Sequence, residues 1–186
     1  MLKRQVRIIA WDDCAFRFNQ KSVQLVGVVF RGGDFIDGLL STVVKKDGTD
    51  ATKKIAQSIT NSRHFDQLSY IMTDGITVAG MNIIDIADLY EQTRLPVIAI
   101  VRKQPDRAAF IAALKKLPGG LKKVKTVQKT PDVLQYREIF FQQAGMTRTG
   151  CENLLDLTCI RSKIPEPLRV AHIIASGLSG ESRGRA

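Results

Sequence analysis

A chain of 186 residues, 44% of them hydrophobic, is long enough to bury the core of one domain, and no stretch reads as a linker that would divide it. Its charge is strongly positive, 28 Lys and Arg against 18 Asp and Glu for a net +10 and a pI near 9.8, which biases it toward polyanions. The apolar runs are strand-sized and no basic leader precedes an early one, so neither a signal peptide nor a membrane span is expected, and the three cysteines, Cys14, Cys151 and Cys159, lack CxxC spacing and suit a reducing cytoplasmic setting better than a disulfide or zinc framework.

Residues 6–12, Val-Arg-Ile-Ile-Ala-Trp-Asp, predict a first strand, and Val23 to Phe30 a second that is nearly continuous in apolar residues. The run Arg31-Gly32-Gly33-Asp34 supplies a tight turn into Phe35 to Lys46, so strands two and three are expected as a hairpin. A helix follows, capped by Thr49 or Asp50, with Ala51, Ile55, Ala56 and Ile59 on its buried side. Leu68 to Thr73 predicts the fourth strand. Asn82 is expected to open a second helix with Ile83, Ile86, Ala87 and Tyr90 inward, and Pro96 to Val101 makes the fifth strand.

Beyond it, Pro105 suits a first helical position, and Phe110, Ile111, Leu114 and Leu117 mark a helix stopped by Pro118-Gly119-Gly120. The lysine-rich run that follows reads as an edge strand. Ile139 to Gln143 predicts another strand, Thr149 to Ile160 a helix, and Pro167 to Leu178 a last helix with Ala171, Ile174, Ala175 and Leu178 inward. Ser179 to Ala186 reads as a flexible tail. Hairpins followed by alternating strands and helices predict an α/β fold with a mixed sheet, in one domain spanning residues 1–186.

Five aspartates, Asp12, Asp13, Asp47, Asp50 and Asp74, fall at or just past strand ends. A carboxylate there is held by ordered backbone without being buried alone, and a gathered set suits Mg²⁺ or Mn²⁺ and phosphate-ester chemistry. Asp47-Gly48 and Asp74-Gly75 are equally ordinary turn punctuation. Successive strand residues face opposite sides, so Asp12 is the better inward ligand and Asp13 its support. Between Asp106 and Asp132 no acidic residue interrupts Arg107, Lys115, Lys116, Lys122, Lys123, Lys125 and Lys129, a stripe that suits phosphate or a solvated face. Arg169 and His172 share a face of the last helix with the same two readings. Asp85 is expected to cap the second helix, Glu166 the last, and His64 to be a loop residue.

The stretch Leu68 to Lys103, LSYIMTDGITVAGMNIIDIADLYEQTRLPVIAIVRK, resembles the endonuclease V segment in which a strand ends in Asp-Gly, a helix follows, and Leu-Pro leads into the next strand. Ile164 to Ala171, with Pro-Glu-Pro before arginine and alanine, is similar to that family's closing segment. A nearer resemblance, over nearly the whole chain and including Trp11-Asp12-Asp13 and Asp47-Gly48-Thr49-Asp50, is to a mostly archaeal group, the domain-of-unknown-function family ninety-nine, itself related to endonuclease V.

The resemblance implies an RNase H-like fold with metal-binding carboxylates on adjacent central strands. It carries over Asp12 and Asp74 as metal ligands and catalytic residues. For the family's glutamate an ungapped match gives Val44, and three extra residues give Asp47, with Asp50 close behind. The family's active-site lysine corresponds to Arg102, with Lys103 adjacent, and its histidine falls near Thr147. The Pro-Tyr-Ile-Pro wedge that reads deaminated bases is Asp34-Phe35-Ile36-Asp37 here, without either proline.

The expectation is therefore an endonuclease V-like phosphodiesterase using Mg²⁺ or Mn²⁺. Its catalytic candidates are Asp12, Asp74, Asp47, Asp50 and Arg102, its metal candidates Asp12, Asp74, Asp47 and Asp13, and its nucleic-acid contacts Lys103, Lys122, Lys123, Lys125, Arg169 and His172. The competing expectation is a non-catalytic nucleic-acid-binding or adaptor protein on the same fold. A small-molecule hydrolase or phosphotransferase comes last, for want of a phosphate loop.

Overall fold

A computed structural model of the chain describes residues 5–181. In chain order its elements are β1 (Arg7–Asp13), β2 (Ser22–Arg31), β3 (Phe35–Lys45), α1 (Ala51–Thr60), a 3-10 turn (Phe65–Gln67), β4 (Leu68–Asp74), β5 (Thr77–Val78), β6 (Asn82–Ile83), α2 (Ile86–Thr93), β7 (Val97–Val101), α3 (Arg107–Lys115), α4 (Gly120–Lys129), β8 (Leu134–Tyr136), β9 (Ile139–Ala144), α5 (Arg148–Thr158) and α6 (Glu166–Leu178). Seven strands form one mixed sheet in the order β3-β2-β1-β4-β7-β9-β8, and β5 and β6 form a separate small hairpin. β1, β4 and β7 are parallel, while β2, β3, β9 and β8 join antiparallel. The fold is α/β with a central mixed sheet flanked by helices, as the sequence predicts.

The central strands are apolar on both faces because both are covered. Ile9, Trp11, Leu25, Ile71 and Val97 pack with Ile55, Ile59, Ile86 and Leu89 of α1 and α2. Ile8, Ala10, Val28, Met72 and Ile98 pack with Leu154 and Leu155 of α5 and Leu168, Ala171 and Ala175 of α6 on the other side. Trp11 needs a gap in β2, and Gly27, its partner across the pair, provides it: a Cβ there would lie 2.7 Å from the indole.

The lysine-rich segment is helix α4, not an edge strand. Its Val124 and Val127, with Leu114 of α3 and Ile83, close a third small core, and this three-to-four-residue spacing suits a helix rather than a strand. The edge position belongs to β8. The second helix begins at Ile86, capped by Asp85, whose side chain accepts from the Asp88 N–H at 3.1 Å. Asn82 does not open it: it lies in β6, fully buried, where its side chain accepts from the Ala51 N–H at the start of α1 and donates to the Lys45 carbonyl. Of the tail expected from Ser179, the first residue is anchored through its hydroxyl to the Ala15 carbonyl, and residues 182–186 lie outside the described residues. Among the described residues no helix is long and apolar enough to cross a membrane.

Candidate active site

The register of β1 against β4 decides where the acidic side chains go. Trp11 pairs with Thr73, which sets Asp12 and Asp74 on the next rungs of two neighbouring parallel strands, at the end where both strands stop. Alternation then selects the face. Ala10 and Met72 point toward α6, so Asp12 and Asp74 point there too, while Trp11 and Asp13 point to the side of α1 and α2.

Asp12 is 6% exposed, and both of its oxygens are used. One accepts from the Asp13 N–H at 2.8 Å, and the other lies 2.8 Å from His172 Nδ1 on α6. The far ring nitrogen of His172 is 3.5 Å from the Ser176 hydroxyl. Burial, the charge of Asp74 and, least, that of Asp13 push the Asp12 pKa up from 3.8 to about 6, against the two hydrogen bonds, which lower it. Asp74 is solvent-accessible on one side and crowded by protein on the others. Desolvation raises its pKa, and the charges of Arg102 and His172 act in the opposite direction.

Asp13, on the other face, accepts from the Ala79 N–H at 2.6 Å, and burial raises its pKa as well. That bond fixes the β5-β6 hairpin against the sheet. Asp47 and Asp50 serve the same hairpin. Asp47, at φ 52°, accepts from the Met81 N–H at 2.8 Å, its own N–H bonds to the Ala79 carbonyl, and its carbonyl accepts from Lys123 Nζ at 2.5 Å. Asp50 accepts from the Lys45 N–H and from Asn82 Nδ2. The register therefore brings Asp12 and Asp74 together on one face, with Asp13 adjacent in the chain but on the other, and gives Asp47 and Asp50 structural bonds in the hairpin region. Val44, the ungapped alternative, is in the core.

The predicted phosphate contacts divide. Lys103, Lys122 and Lys125 are exposed, as is Arg102, whose charge reaches Asp74. Lys123 is a correction: it is 3% exposed and ties α4 to Asp47. Arg169 is another, because its guanidinium is forked onto Glu166 at 2.8 and 2.6 Å, and that bond holds the Glu166 carboxyl below the usual range. His172 turns inward to Asp12 rather than sharing an open face with Arg169. Nothing local in the sequence signals this, since a pairing across 160 residues leaves no periodicity. Thr147 caps α5 through its hydroxyl on the Gly150 N–H.

Oxygen-only donors on rigid strand ends, with pKa values raised by crowding, are the chemistry a hard divalent cation relieves. Among the described residues no group of three or more His, Cys, Asp and Glu is arranged to hold a metal. Mg²⁺ commonly takes only one or two carboxylates and completes its shell with water and substrate phosphate, and Asp12 with Asp74 fit that smaller requirement.

The family described as endonuclease dU matches residues 4–179. A UPF0215 protein of Methanosarcina mazei is 46% identical over 192 residues, covering 100% of this chain and 97% of that one, and a UPF0215 protein of Methanothermobacter thermautotrophicus is 43% identical, covering 100% and 94%. A crystal structure of an Archaeoglobus fulgidus protein of unknown function is similar with a TM-score of 0.88 at 32% identity, covering 94% of this chain and 98% of that chain. The Ciona intestinalis endonuclease V, solved with a 24mer DNA containing an inosine followed by a ribo-adenosine, gives a TM-score of 0.59 at 12% identity over 90% of this chain and 83% of that one, which shows a shared fold. By a family match over residues 4–179, the chain belongs to the endonuclease dU family.

Proposed function

We propose that the chain is a divalent-metal-dependent endonuclease that cuts nucleic acid at or beside deoxyuridine. The observation that carries this is the Asp12 and Asp74 pair: two carboxylates on adjacent rungs of parallel strands, facing one way, with the charge of one raising the pKa of the other. A divalent cation held there would neutralise phosphate charge and favour a nucleophilic water. His172 orients the Asp12 carboxylate, Asp13 fixes the hairpin beside it, and Arg102 and Lys103 supply positive charge for the scissile strand.

The base has a place to go. A cleft of about 350 Å³ opens beside Asp74, walled by Gly75, Ile76, Val101, Phe110 and Gln142, and its mainly apolar lining suits a base turned out of the stack. A larger cleft of about 410 Å³, between Tyr136 and Lys163, holds none of the strand-end aspartates. The test is cleavage of labelled single-stranded and duplex DNA and RNA carrying one deoxyuridine, uridine or inosine, in Mg²⁺ or Mn²⁺. Cutting at deoxyuridine that disappears in EDTA and in Asp12→Asn plus Asp74→Asn is expected. No cutting of any substrate, or equal cutting by the double variant, overturns the proposal.

The exposed cations Arg102, Lys103, Lys122 and Lys125 favour, as the second reading, a nucleic-acid-binding adaptor on the same fold. Calorimetry separates the two. Divalent binding that is lost with Asp12→Asn supports the nuclease, and salt-dependent nucleic-acid affinity without any divalent binding supports the adaptor.

A further inference from the structure

The loop from β1 to β2 begins two residues after Asp12 and carries two phenylalanines with opposite fates. Phe16 is partly buried against the core on the side of α1 and α2. Phe18 is 94% exposed, at the tip of a turn closed by the Gln20 N–H on the Arg17 carbonyl and by the Gln20 side chain on the Arg17 N–H. A solitary exposed apolar residue is ordinary on a protein surface. This one is mounted. Lys46, with a side chain only 15% exposed, places Nζ 4.3 Å from the Phe18 ring centroid and donates to the Phe18 carbonyl at 2.6 Å, while its backbone N–H bonds to the Lys21 carbonyl. Lys46 adjoins Asp47, which is bonded to Ala79, which is bonded to Asp13. The ring is thus tied by short links to the carboxylate end of the sheet, and six residues of chain keep Phe18 within roughly 20 Å of Asp12.

We infer that Phe18 is a stacking platform for one unpaired base of a bound nucleic-acid strand, with Lys46 beneath the ring and the open face turned to the base. The inference rests on the nucleic-acid reading above and deepens it by naming a residue that holds the strand. Charge selects the occupant: Arg17 and Lys21, close to Phe18 in the chain, are exposed, and Lys46 lies over the ring, so an aromatic surface at the carboxylate end of the sheet is accompanied by cations, an arrangement that suits bases strung on phosphates. Phe35, Leu39, Val43 and Leu121 are also exposed, but no cation lies over the Phe35 ring among the described residues; the other ring with a cation over it, Tyr136 with Arg137 at 5.1 Å, lines the cleft that holds none of the strand-end aspartates and is not as exposed as Phe18.

The test uses the full-length protein in EDTA, so that binding is read without cleavage. A 12-nucleotide single strand of mixed sequence is compared with an abasic strand of the same length and charge. Phe18→Ala is expected to weaken binding of the base-bearing strand by about 5- to 150-fold and to leave the abasic strand within about twofold. Phe18→Trp is expected to restore affinity and, because the one native tryptophan, Trp11, is buried, to add an emission that the base-bearing strand quenches and the abasic strand does not. Equal affinity of Phe18→Ala and the unaltered chain for the base-bearing strand, or equal loss on both strands, overturns the platform. The outcomes separate from those of the nuclease proposal: cleavage at deoxyuridine with no effect at Phe18 removes the platform alone, and quenching without cleavage removes the nuclease alone.

Discussion

Replacing Asp12 by Asn tests whether the strand-end pair stores unfavourable charge, as a site awaiting a cation must. Asp12 titrates near 6 in the folded protein against 3.8 when unfolded, because burial and the neighbouring Asp74 both disfavour its charged form. The native state therefore binds this proton more tightly than the unfolded chain. Its full stabilisation is present below about pH 4, fades as pH climbs through about 6, and is gone above that. A displacement of about two pH units at 1.36 kcal/mol each is on the order of 3 kcal/mol, shared with Asp74 because the two titrations interact. Asn keeps an oxygen for the Asp13 N–H and discards the charge. In EDTA, Asp12→Asn is expected to exceed the unaltered chain by on the order of 2–3 kcal/mol at pH 8 and by nearly nothing at pH 4. The assay is urea denaturation across that range, with a melting-temperature rise of about 2–4 °C per kcal/mol expected for a chain of this size. Added Mg²⁺ or Mn²⁺ should narrow the gap at pH 8, since the cation binds the native carboxylates and not the amide. If Asp12→Asn is no more stable at pH 8, or its advantage persists unchanged at pH 4, the reasoning fails.

Three further outcomes follow from the contacts. Glu166→Ala strips Arg169 of both hydrogen bonds and should cost about 1–3 kcal/mol at pH 7 by urea denaturation. Because the Glu166 pKa is lowered in the folded state, that cost should shrink as pH falls below 4.5. Gly27→Ala drives a methyl into the Trp11 indole and should destabilise by about 1–3 kcal/mol, with a change in tryptophan emission, whereas an unchanged spectrum and melting point would contradict the packing. Lys103→Ala should reduce the slope of log K against log salt for DNA by about 1, while Lys123→Met should leave that slope alone and lower stability instead.

What the sequence revealed, and what it hid, follows the range of each interaction. β1, β2, β4 and β7 were legible because apolar runs bounded by Gly, Asp and Pro record local structure, and the helix faces were legible from 3.6-residue spacing. The lysine-rich run reads as a strand only if its charges are weighed before its spacing: Leu121, Val124 and Val127 recur at helical intervals, and Val124 and Val127 pack on Leu114 and Ile83. Asn82 was misread for a different reason: an asparagine before apolar residues looks like a cap of the helix that follows it, and here it caps α1, 31 residues upstream.

The same distinction explains the site. Asp12 and Asp74 do lie at strand ends, where the apolar runs put them, and a parallel register sets those equivalent strand termini side by side. Asp47 and Asp50 share the outward sign, an aspartate just after a strand, yet they accept from the Met81 N–H and from Lys45 and Asn82 respectively. Placement separates the two groups, since both Asp12 oxygens are also used: Asp12 and Asp74 lie on adjacent rungs of neighbouring strand ends and face one side, while Asp47 and Asp50 are bonded into the β5-β6 hairpin. His172 belongs with Asp12 because an imidazole 2.8 Å from one oxygen of a buried carboxylate, with the Asp13 N–H on the other, fixes the orientation of the group, a long-range contact that no local sequence pattern records.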